Sequence, residues 1–261
     1  MSTSRLLFDI DGPIAFLTIN RPDARNAMTL EMYDTLVDAC ERVDADASVR
    51  VLVLRGAGGK AFMAGTDIAE FTGFRSELDG IAYERRLDKV VDRVERVKAA
   101  TIAQVQGVAT GGGCALALAC DLRVCTPDAR FGIPIARTLG NCLSAANYAR
   151  LVDLVGPARA KELLITGRLL DAREAASLGL VTEVVDGIDV DGAVRRLAAA
   201  IAVNAPLTIR ATKEMIRRIQ AHRRINAEAA EDLVAMCYSS DDFREGVDAF
   251  LTKRPPRFTG R

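Results

Sequence analysis

An uncharged run of 22 residues, Ala99–Cys120, constrains the fold of this chain more than any other feature. The run is long enough to cross a bilayer. However, it contains Gln104, Gln106 and four glycines, and its apolar pattern changes period in the middle. Polar side chains and glycines in such numbers are atypical of a lipid-exposed helix. We therefore expect no membrane span here, and the pattern predicts a buried strand, a loop and a buried helix.

The pattern on either side of this run predicts the fold class. Val49–Leu54 is almost continuously apolar, as in a strand of a sheet buried on both faces. The pattern predicts another strand over Asp121–Cys125. It predicts a helix over Leu87–Val97, where the apolar residues have helical spacing. From Val190 onward the pattern is mainly helical. Alternating strands and helices followed by helices alone predict an α/β core with a helical C-terminal section.

Charge and composition exclude several classes of function. Thirty-five Lys and Arg balance 35 Asp and Glu, Trp is absent, and aromatic residues make up 5% of the chain. This balance argues against nucleic acid as a partner, and the single histidine, His222, excludes a multi-histidine metal site. Six cysteines without a C-x-x-C pair favour reduced thiols and a cytoplasmic location. The N-terminal residues do not resemble a secretory signal.

Two glycine-rich segments fail the usual phosphate-binding motifs. In Gly56–Lys60, Leu54 occupies the first glycine position of a P-loop and Ala61 follows the lysine. In Gly111–Gly113, Leu116 occupies the last glycine position of a dinucleotide-binding motif. We therefore predict neither a P-loop nor a nicotinamide or flavin site.

Two glycine loops remain as candidates for chemistry. Ala64–Asp67 follows an apolar strand, and Gly111–Cys114 follows another and begins an apolar helix. Backbone N–H groups at the start of a helix have no internal partner, and glycines allow a substrate to approach them closely. Two such groups converging on one carbonyl oxygen form an oxyanion hole. Two ordinary tight turns are the alternative interpretation.

Seven motifs, and their order along essentially the whole chain, resemble those of the enoyl-CoA hydratase/isomerase (crotonase) superfamily. The motifs are Asn20–Ala27, Ala61–Ile68, Gln106–Cys114, Phe131–Pro134, Leu164–Gly167, Ala175–Val181 and Arg244–Arg254. The resemblance implies a crotonase-like spiral of β-β-α turns within residues 1–200. It also implies a helical C-terminal trimerisation region over residues 201–261, giving a trimer or a hexamer.

The resemblance further implies an acyl-CoA thioester as substrate. No metal or separate cofactor is expected, because coenzyme A arrives as part of the substrate. By position, the N–H groups of Thr66 and Gly112 would form the oxyanion hole. Further residues match positions that contact coenzyme A, the last two from a neighbouring subunit: Ala24, Arg25, Ala64, Asp67, Ile68, Phe250 and Lys253.

The departures from the family pattern are as informative as the matches. A hydratase of this family uses two glutamates to position water and move its proton. Ala115 occupies the first glutamate position, and Ile135 occupies the second, or Ala136 if an insertion is placed earlier. Gly140–Ser144 loosely resembles a segment of the superfamily's aryl-CoA dehalogenase. That enzyme has its nucleophilic aspartate near the position of Cys142, so this chain is not expected to dehalogenate.

Three interpretations remain open from the sequence. The first is an acyl-CoA enzyme of the hydratase/isomerase type. The second is an acyl-CoA binding protein with little or no catalysis. The third is a divergent enzyme that combines the oxyanion hole with another polar group, for which Arg137, Asn141 and Cys142 are candidates. Under each of them, we expect the hydration of an enoyl-CoA to be slow or absent.

Overall fold

Strands and helices alternate along most of the chain. The computed structural model describes residues 5–222 and 225–261. The strands are β1 (Leu6–Asp11), β2 (Ile14–Ile19), β3 (Val51–Gly56), β4 (Ala61–Met63), β5 (Ala100–Val105), β6 (Val108–Thr110), β7 (Leu122–Cys125), β8 (Arg130–Gly132), β9 (Leu170–Asp171) and β10 (Glu183–Val184). The α-helices are α1 (Leu30–Ala45), α2 (Glu77–Glu95), α3 (Gly112–Ala119), α4 (Ile135–Thr138), α5 (Ala145–Thr166), α6 (Ala172–Ser177), α7 (Val190–Ala202), α8 (Pro206–Ala221), α9 (Glu231–Tyr238) and α10 (Asp241–Leu251).

The strands form two sheets, and successive segments of the chain contribute strands to both. The larger sheet has the order β1-β2-β3-β5-β7-β10, and the smaller has the order β4-β6-β8-β9. Three successive segments each place one strand in the larger sheet and the next in the smaller, and then form a helix: β3-β4-α2, β5-β6-α3 and β7-β8-α4. This repetition is the predicted spiral of β-β-α turns. The predicted α/β class is confirmed.

The larger sheet is buried on both faces, which explains the continuous apolar run in β3. Leu52 and Leu54 face the main core beneath α1, α2 and α3. Val51 and Val53 point the other way, into a smaller core completed by α7. Because successive strand residues point to opposite faces, both sets must be apolar. Burying each side chain contributes about 1.5–3 kcal/mol.

The uncharged run divides as its pattern predicts. It forms β5, β6 and α3, with Gly107 at a φ of +62° in the turn between the two strands. None of the helices described is long and apolar enough to cross a membrane. Two segments predicted as loops, residues 56–67 and 107–113, each contain a three-residue strand, β4 and β6. Strands this short carry too few residues for an alternating pattern to be recognised.

The C-terminal helices carry an apolar surface. Several side chains of α8 are at least half exposed, namely Leu207, Met215, Ile216 and Ile219. Four charged residues of the same helix form ion pairs: Lys213 pairs with Asp121 at 2.5 Å, and Glu214 pairs with Arg217 and Arg218. The apolar face of α8 is thus exposed in the single chain.

Candidate functional site

The two glycine loops meet at the same end of the smaller sheet. β4 leads into Ala64–Asp67 and β6 leads into Gly111, and the two strands are parallel neighbours. A Cβ atom on Gly65 would lie 3.3 Å from the Thr110 carbonyl oxygen and 3.7 Å from the Gly112 nitrogen. Gly65 also has a φ of +104°, which side-chain-bearing residues rarely adopt. Glycine is therefore needed for the two backbones to approach.

Thr66 and Gly112 present N–H groups at this junction. The residues flanking Thr66 are tied to Met28, since Met28 N–H donates to the Gly65 oxygen at 2.9 Å and Asp67 N–H donates to the Met28 oxygen at 2.8 Å. Gly112 is the first residue of α3, at the positive end of the helix dipole. Within residues 5–222 and 225–261, no acceptor takes the N–H of Thr66 or of Gly112. Both N–H groups are therefore donors that the described part of the chain does not use.

At the next residue, Gly113, the backbone of α3 directly contacts the backbone of β4. A Cβ atom on Gly113 would lie 2.1 Å from the Met63 carbonyl oxygen, a distance at which atoms overlap. Any residue larger than glycine would push the two segments apart. The relative position of the two loops is therefore fixed by direct backbone contact.

A chain of three hydroxyl groups lies behind Thr66. The Tyr33 hydroxyl lies 2.9 Å from Thr66 Oγ1, and the Tyr83 hydroxyl lies 2.7 Å from the same atom. Burial raises the pKa of both tyrosines, so both hydroxyls remain protonated at neutral pH. A Cβ atom on Gly112 would lie only 2.8 Å from the Tyr33 oxygen. The hydroxyl chain therefore touches both halves of the junction.

An aromatic cluster adjoins Tyr83. Ring centroids in the cluster lie 4.7–6.2 Å apart, and its members are Phe71, Phe74, Tyr83, Tyr238 and Phe243. Four of the eight ring pairs pack edge to face, an arrangement that aromatic quadrupoles favour, and the other four are tilted. Apart from Tyr83, the cluster lines a cavity of about 320 Å³ that also contacts Val247 and Leu251. Arg75, Arg244 and Asp248 line the same cavity, so its surface is partly apolar and partly charged.

A buried carboxyl group, Glu84, lies one residue beyond Tyr83. Its oxygens contact the Tyr238 hydroxyl at 2.7 Å and the Ser144 N–H at 2.9 Å. Burial, with a smaller contribution from the nearby Asp88 charge, raises the pKa of Glu84 to about 8. The group is therefore mostly protonated at neutral pH.

Tyr238 links Glu84 to Asn141. Its hydroxyl donates to the Glu84 carboxyl at 2.7 Å and accepts from Asn141 Nδ2 at 3.0 Å. Among the described residues, Asn141 Oδ1 is buried without a hydrogen-bond partner.

The other two candidate polar residues differ in their surroundings. Cys142 is buried, with its Sγ 3.6 Å from the Leu233 carbonyl oxygen. Interaction with the Cys237 thiol, together with burial, raises the pKa of Cys142, and the same interaction lowers the pKa of Cys237. Arg137 is exposed on α4, where it packs beside Gly167. The structure brings Asn141 and Cys142 to α9 and does not bring Arg137 to the glycine loops.

The two residues expected from the resemblance to occupy the family's glutamate positions, Ala115 and Ile135, belong to the hydrophobic core. Ala115 lies in the first turn of α3, three residues after Gly112, and is buried. Ile135 is the first residue of α4 and is buried, whereas Ala136 is exposed. Of the two candidates for the second position, Ile135 is therefore the one that faces the interior.

The residues expected on the coenzyme A side fall into two groups. Ala64 N–H donates to the Arg25 oxygen at 3.1 Å, and Asp67 forms a 2.9 Å ion pair with Arg21. Ala24 and Ile68 are half-buried in the same two loops, so these residues form one rim beside the junction. The second group, Phe250 and Lys253, is exposed at the end of α10.

Sequence reasoning missed Tyr33, Tyr83, Glu84 and Tyr238 as site residues. The tyrosines occupy positions that a helical pattern assigns to the core, and the partners of Glu84 lie 60 and 154 residues away.

In the described part of the chain, no group of three His, Cys, Asp or Glu side chains is arranged to hold a metal ion.

Comparison with known proteins assigns the family. The sequence profile described as "Enoyl-CoA hydratase/isomerase" matches residues 9–261. The chain is 34% identical to the crotonyl-CoA hydratase of Syntrophomonas wolfei, over 100% of both chains. Among solved structures, an enoyl-CoA hydratase/carnithine racemase from Magnetospirillum magneticum has a TM-score of 0.80 at 37% identity, covering 100% of this chain and 97% of that one. A methylmalonyl-CoA decarboxylase in complex with 2-nitronate-propionyl-CoA has a TM-score of 0.89 at 26% identity, covering 100% of both. The chain is therefore an enzyme of the enoyl-CoA hydratase/isomerase family.

Proposed function

We propose that this enzyme binds an acyl-CoA thioester and stabilises its enolate oxygen with the N–H groups of Thr66 and Gly112. The observation that carries this proposal is the pair of N–H groups without an acceptor at the ends of β4 and β6. A negative oxygen at this point would also lie at the positive end of α3. Removal of one such donor typically costs about 2.7–4 kcal/mol of transition-state stabilisation.

The rim beside the junction is where the coenzyme A portion would run. The Arg25 backbone is bonded to Ala64, so its exposed side chain lies near the entrance to the oxyanion loop. A guanidinium group pairs well with phosphate. Lys253 and Phe250 would contact coenzyme A from a neighbouring subunit of a trimer or hexamer. The exposed apolar face of α8 supports such an assembly.

Hydration does not fit the side chains at the two glutamate positions. Adding water to an enoyl-CoA requires a group that deprotonates the water and a group that protonates the α carbon. General acid–base groups contribute about 10²–10⁴-fold each, and neither Ala115 nor Ile135 can transfer a proton. The buried Ile135 side chain would also occupy space that a water molecule needs. We therefore expect slow or absent hydration.

Decarboxylation of an α-carboxyacyl-CoA is a second candidate function. When the bond between the α carbon and the carboxylate breaks, its electron pair becomes the enolate and no general base is needed. Such a reaction needs the oxyanion hole and a later proton from any donor. The TM-score of 0.89 with a methylmalonyl-CoA decarboxylase supports it specifically.

The proposal is tested with a matched pair of variants. Gly112→Pro removes the N–H at the first position of α3, where proline is tolerated. Gly112→Ala keeps the N–H and introduces the same Cβ atom beside Tyr33. We expect wild type to bind acyl-CoA and to release CO₂ from methylmalonyl-CoA or malonyl-CoA faster than it hydrates crotonyl-CoA. Gly112→Pro should lose about 10²–10³-fold in turnover relative to Gly112→Ala.

The outcomes of this experiment separate the remaining alternatives. Tight acyl-CoA binding without turnover of any thioester would favour a binding protein. Equal activity of Gly112→Pro and Gly112→Ala would contradict the oxyanion hole. Absence of binding to a broad panel of acyl-CoA thioesters at millimolar concentration would contradict the proposal as a whole.

A further inference from the structure

The hydroxyl chain behind Thr66 has one hydrogen atom more than its internal contacts use. Tyr33, Thr66 and Tyr83 supply three O–H hydrogens, and the chain contains two contacts, of 2.9 Å and 2.7 Å. Each contact uses one hydrogen. The O–H group at one end of the hydroxyl chain must therefore point away from the other two hydroxyls.

Burial decides which end this is. The Tyr33 side chain is 1% exposed, and Thr66 Oγ1 is the one partner of its hydroxyl in the described part of the chain. A buried donor left unpaired is strongly unfavourable, so Tyr33 donates to Thr66. Thr66 then donates to Tyr83, its other partner. The remaining hydrogen belongs to Tyr83, which is 8% exposed and borders the aromatic cluster.

From this arrangement we infer that the Tyr83 hydroxyl is a third hydrogen-bond donor to the enolate oxygen, beside the N–H groups of Thr66 and Gly112. The inference rests on the proposed function. An oxygen about 2.9 Å from the Thr66 nitrogen would be close to Thr66 Oγ1, and the Tyr83 oxygen is 2.7 Å from Oγ1. The three hydroxyls would be aligned toward the ligand, and aligned hydrogen bonds polarise and strengthen one another.

The proposed role requires no proton transfer. Because burial raises the pKa of Tyr83, its hydroxyl stays neutral and donates without ionising. A neutral donor in a desolvated site stabilises developing negative charge more than it stabilises a neutral carbonyl oxygen. Tyr83 should therefore discriminate between an enolate and a ground-state thioester.

Two isosteric variants test this role. Binding of 2-nitronate-propionyl-CoA, whose charge mimics an enolate, is measured beside binding of propionyl-CoA, which is neutral at the acyl group. Tyr83→Phe should weaken nitronate binding by about 10–100-fold and change propionyl-CoA binding by less than about threefold. Tyr33→Phe is the matched control, since it removes the hydroxyl at the more buried end of the chain, on the other side of Thr66. It should weaken nitronate binding by less than about fivefold, because Thr66 can still donate to Tyr83.

The remaining outcomes overturn the inference in distinguishable ways. If wild type prefers the nitronate and Tyr83→Phe keeps that preference, the inference is wrong and the oxyanion hole stands. If each variant loses affinity for the nitronate and for propionyl-CoA by the same factor, the hydroxyls only hold the loop in place. The donor role is then also wrong. If wild type binds neither ligand, the proposed function fails and the inference fails with it. Thermal unfolding of each variant identifies a loss that results from misfolding.

Discussion

Replacing Glu84 by glutamine should make the folded protein less sensitive to pH. The pKa of Glu84 is about 8 in the folded chain and about 4.5 when the chain is unfolded. Between these values the folded state holds a proton that the unfolded state has released. The free energy of unfolding therefore falls as pH rises from about 4.5 to 8. The stability that the bound proton of Glu84 adds to the folded state is fully present only below this range.

The magnitude follows from the size of the shift. One pKa unit corresponds to about 1.4 kcal/mol, so Glu84 accounts for a loss on the order of 5 kcal/mol across this range. Glu84→Gln cannot ionise and should not suffer the loss. Its amide oxygen can accept from the Ser144 N–H as Glu84 does. Its amide nitrogen can donate to the Tyr238 oxygen, in place of the bond that the Tyr238 hydroxyl donates to Glu84. The variant should gain stability relative to wild type as pH rises.

Urea unfolding at pH 5, 6, 7 and 8 measures this difference. The difference between the two unfolding free energies removes the contributions of other titrating groups, which both proteins share. Glu77→Gln, an exposed substitution on the same helix, is the control and should follow wild type at each pH. If the curves of Glu84→Gln and wild type stay parallel from pH 5 to pH 8, the argument for a buried protonated carboxyl is refuted.

Three further predictions concern activity, assembly and packing. Introducing both Ala115→Glu and Ile135→Glu should increase crotonyl-CoA hydration over a weak wild-type rate, whereas wild-type hydration at hundreds of turnovers per second would contradict our account of these positions. Light scattering at micromolar concentration should give the mass of a trimer or hexamer, and a mass near the 28.1 kDa of one chain would exclude this assembly. Gly80→Ala should destabilise the fold by about 1–3 kcal/mol in urea unfolding, because its Cβ atom would lie 2.2 Å from the Tyr238 ring; unchanged stability would mean that the ring is not held against α2.

The fold was largely predictable from local patterns. The change of period inside the uncharged run located β5 and the start of α3 at Gly112, because the two periods are imposed by backbone geometry. The glycines of the two loops predicted that a substrate could approach the backbone, and in the structure Gly65 and Gly113 allow the two loops to contact each other. The three-residue strands β4 and β6 were predicted as loops, since they exist through pairing with each other and not through a pattern of their own.

The polar groups around the site were less predictable. Tyr33 and Tyr83 look like core residues in a helical pattern, and only the folded chain brings their hydroxyls to Thr66. Glu84 looks like a solvated charge on α2, but α9 covers it with Tyr238. Arg137 was a candidate because of its charge and its place in the sequence, yet α4 turns it outward. In each case the deciding contact joins segments that are distant in sequence.

The backbone contact between Gly113 and Met63 has a consequence for how new activities can arise on this scaffold. It ties the positions of the two N–H donors to main-chain atoms, so their geometry does not depend on which side chains surround them. Ala115 and Ile135, by contrast, lie near the starts of α3 and α4, and neither takes part in that backbone contact. A library that varies these two positions alone would therefore test different reactions of the proposed acyl-CoA substrate against one proposed oxyanion hole.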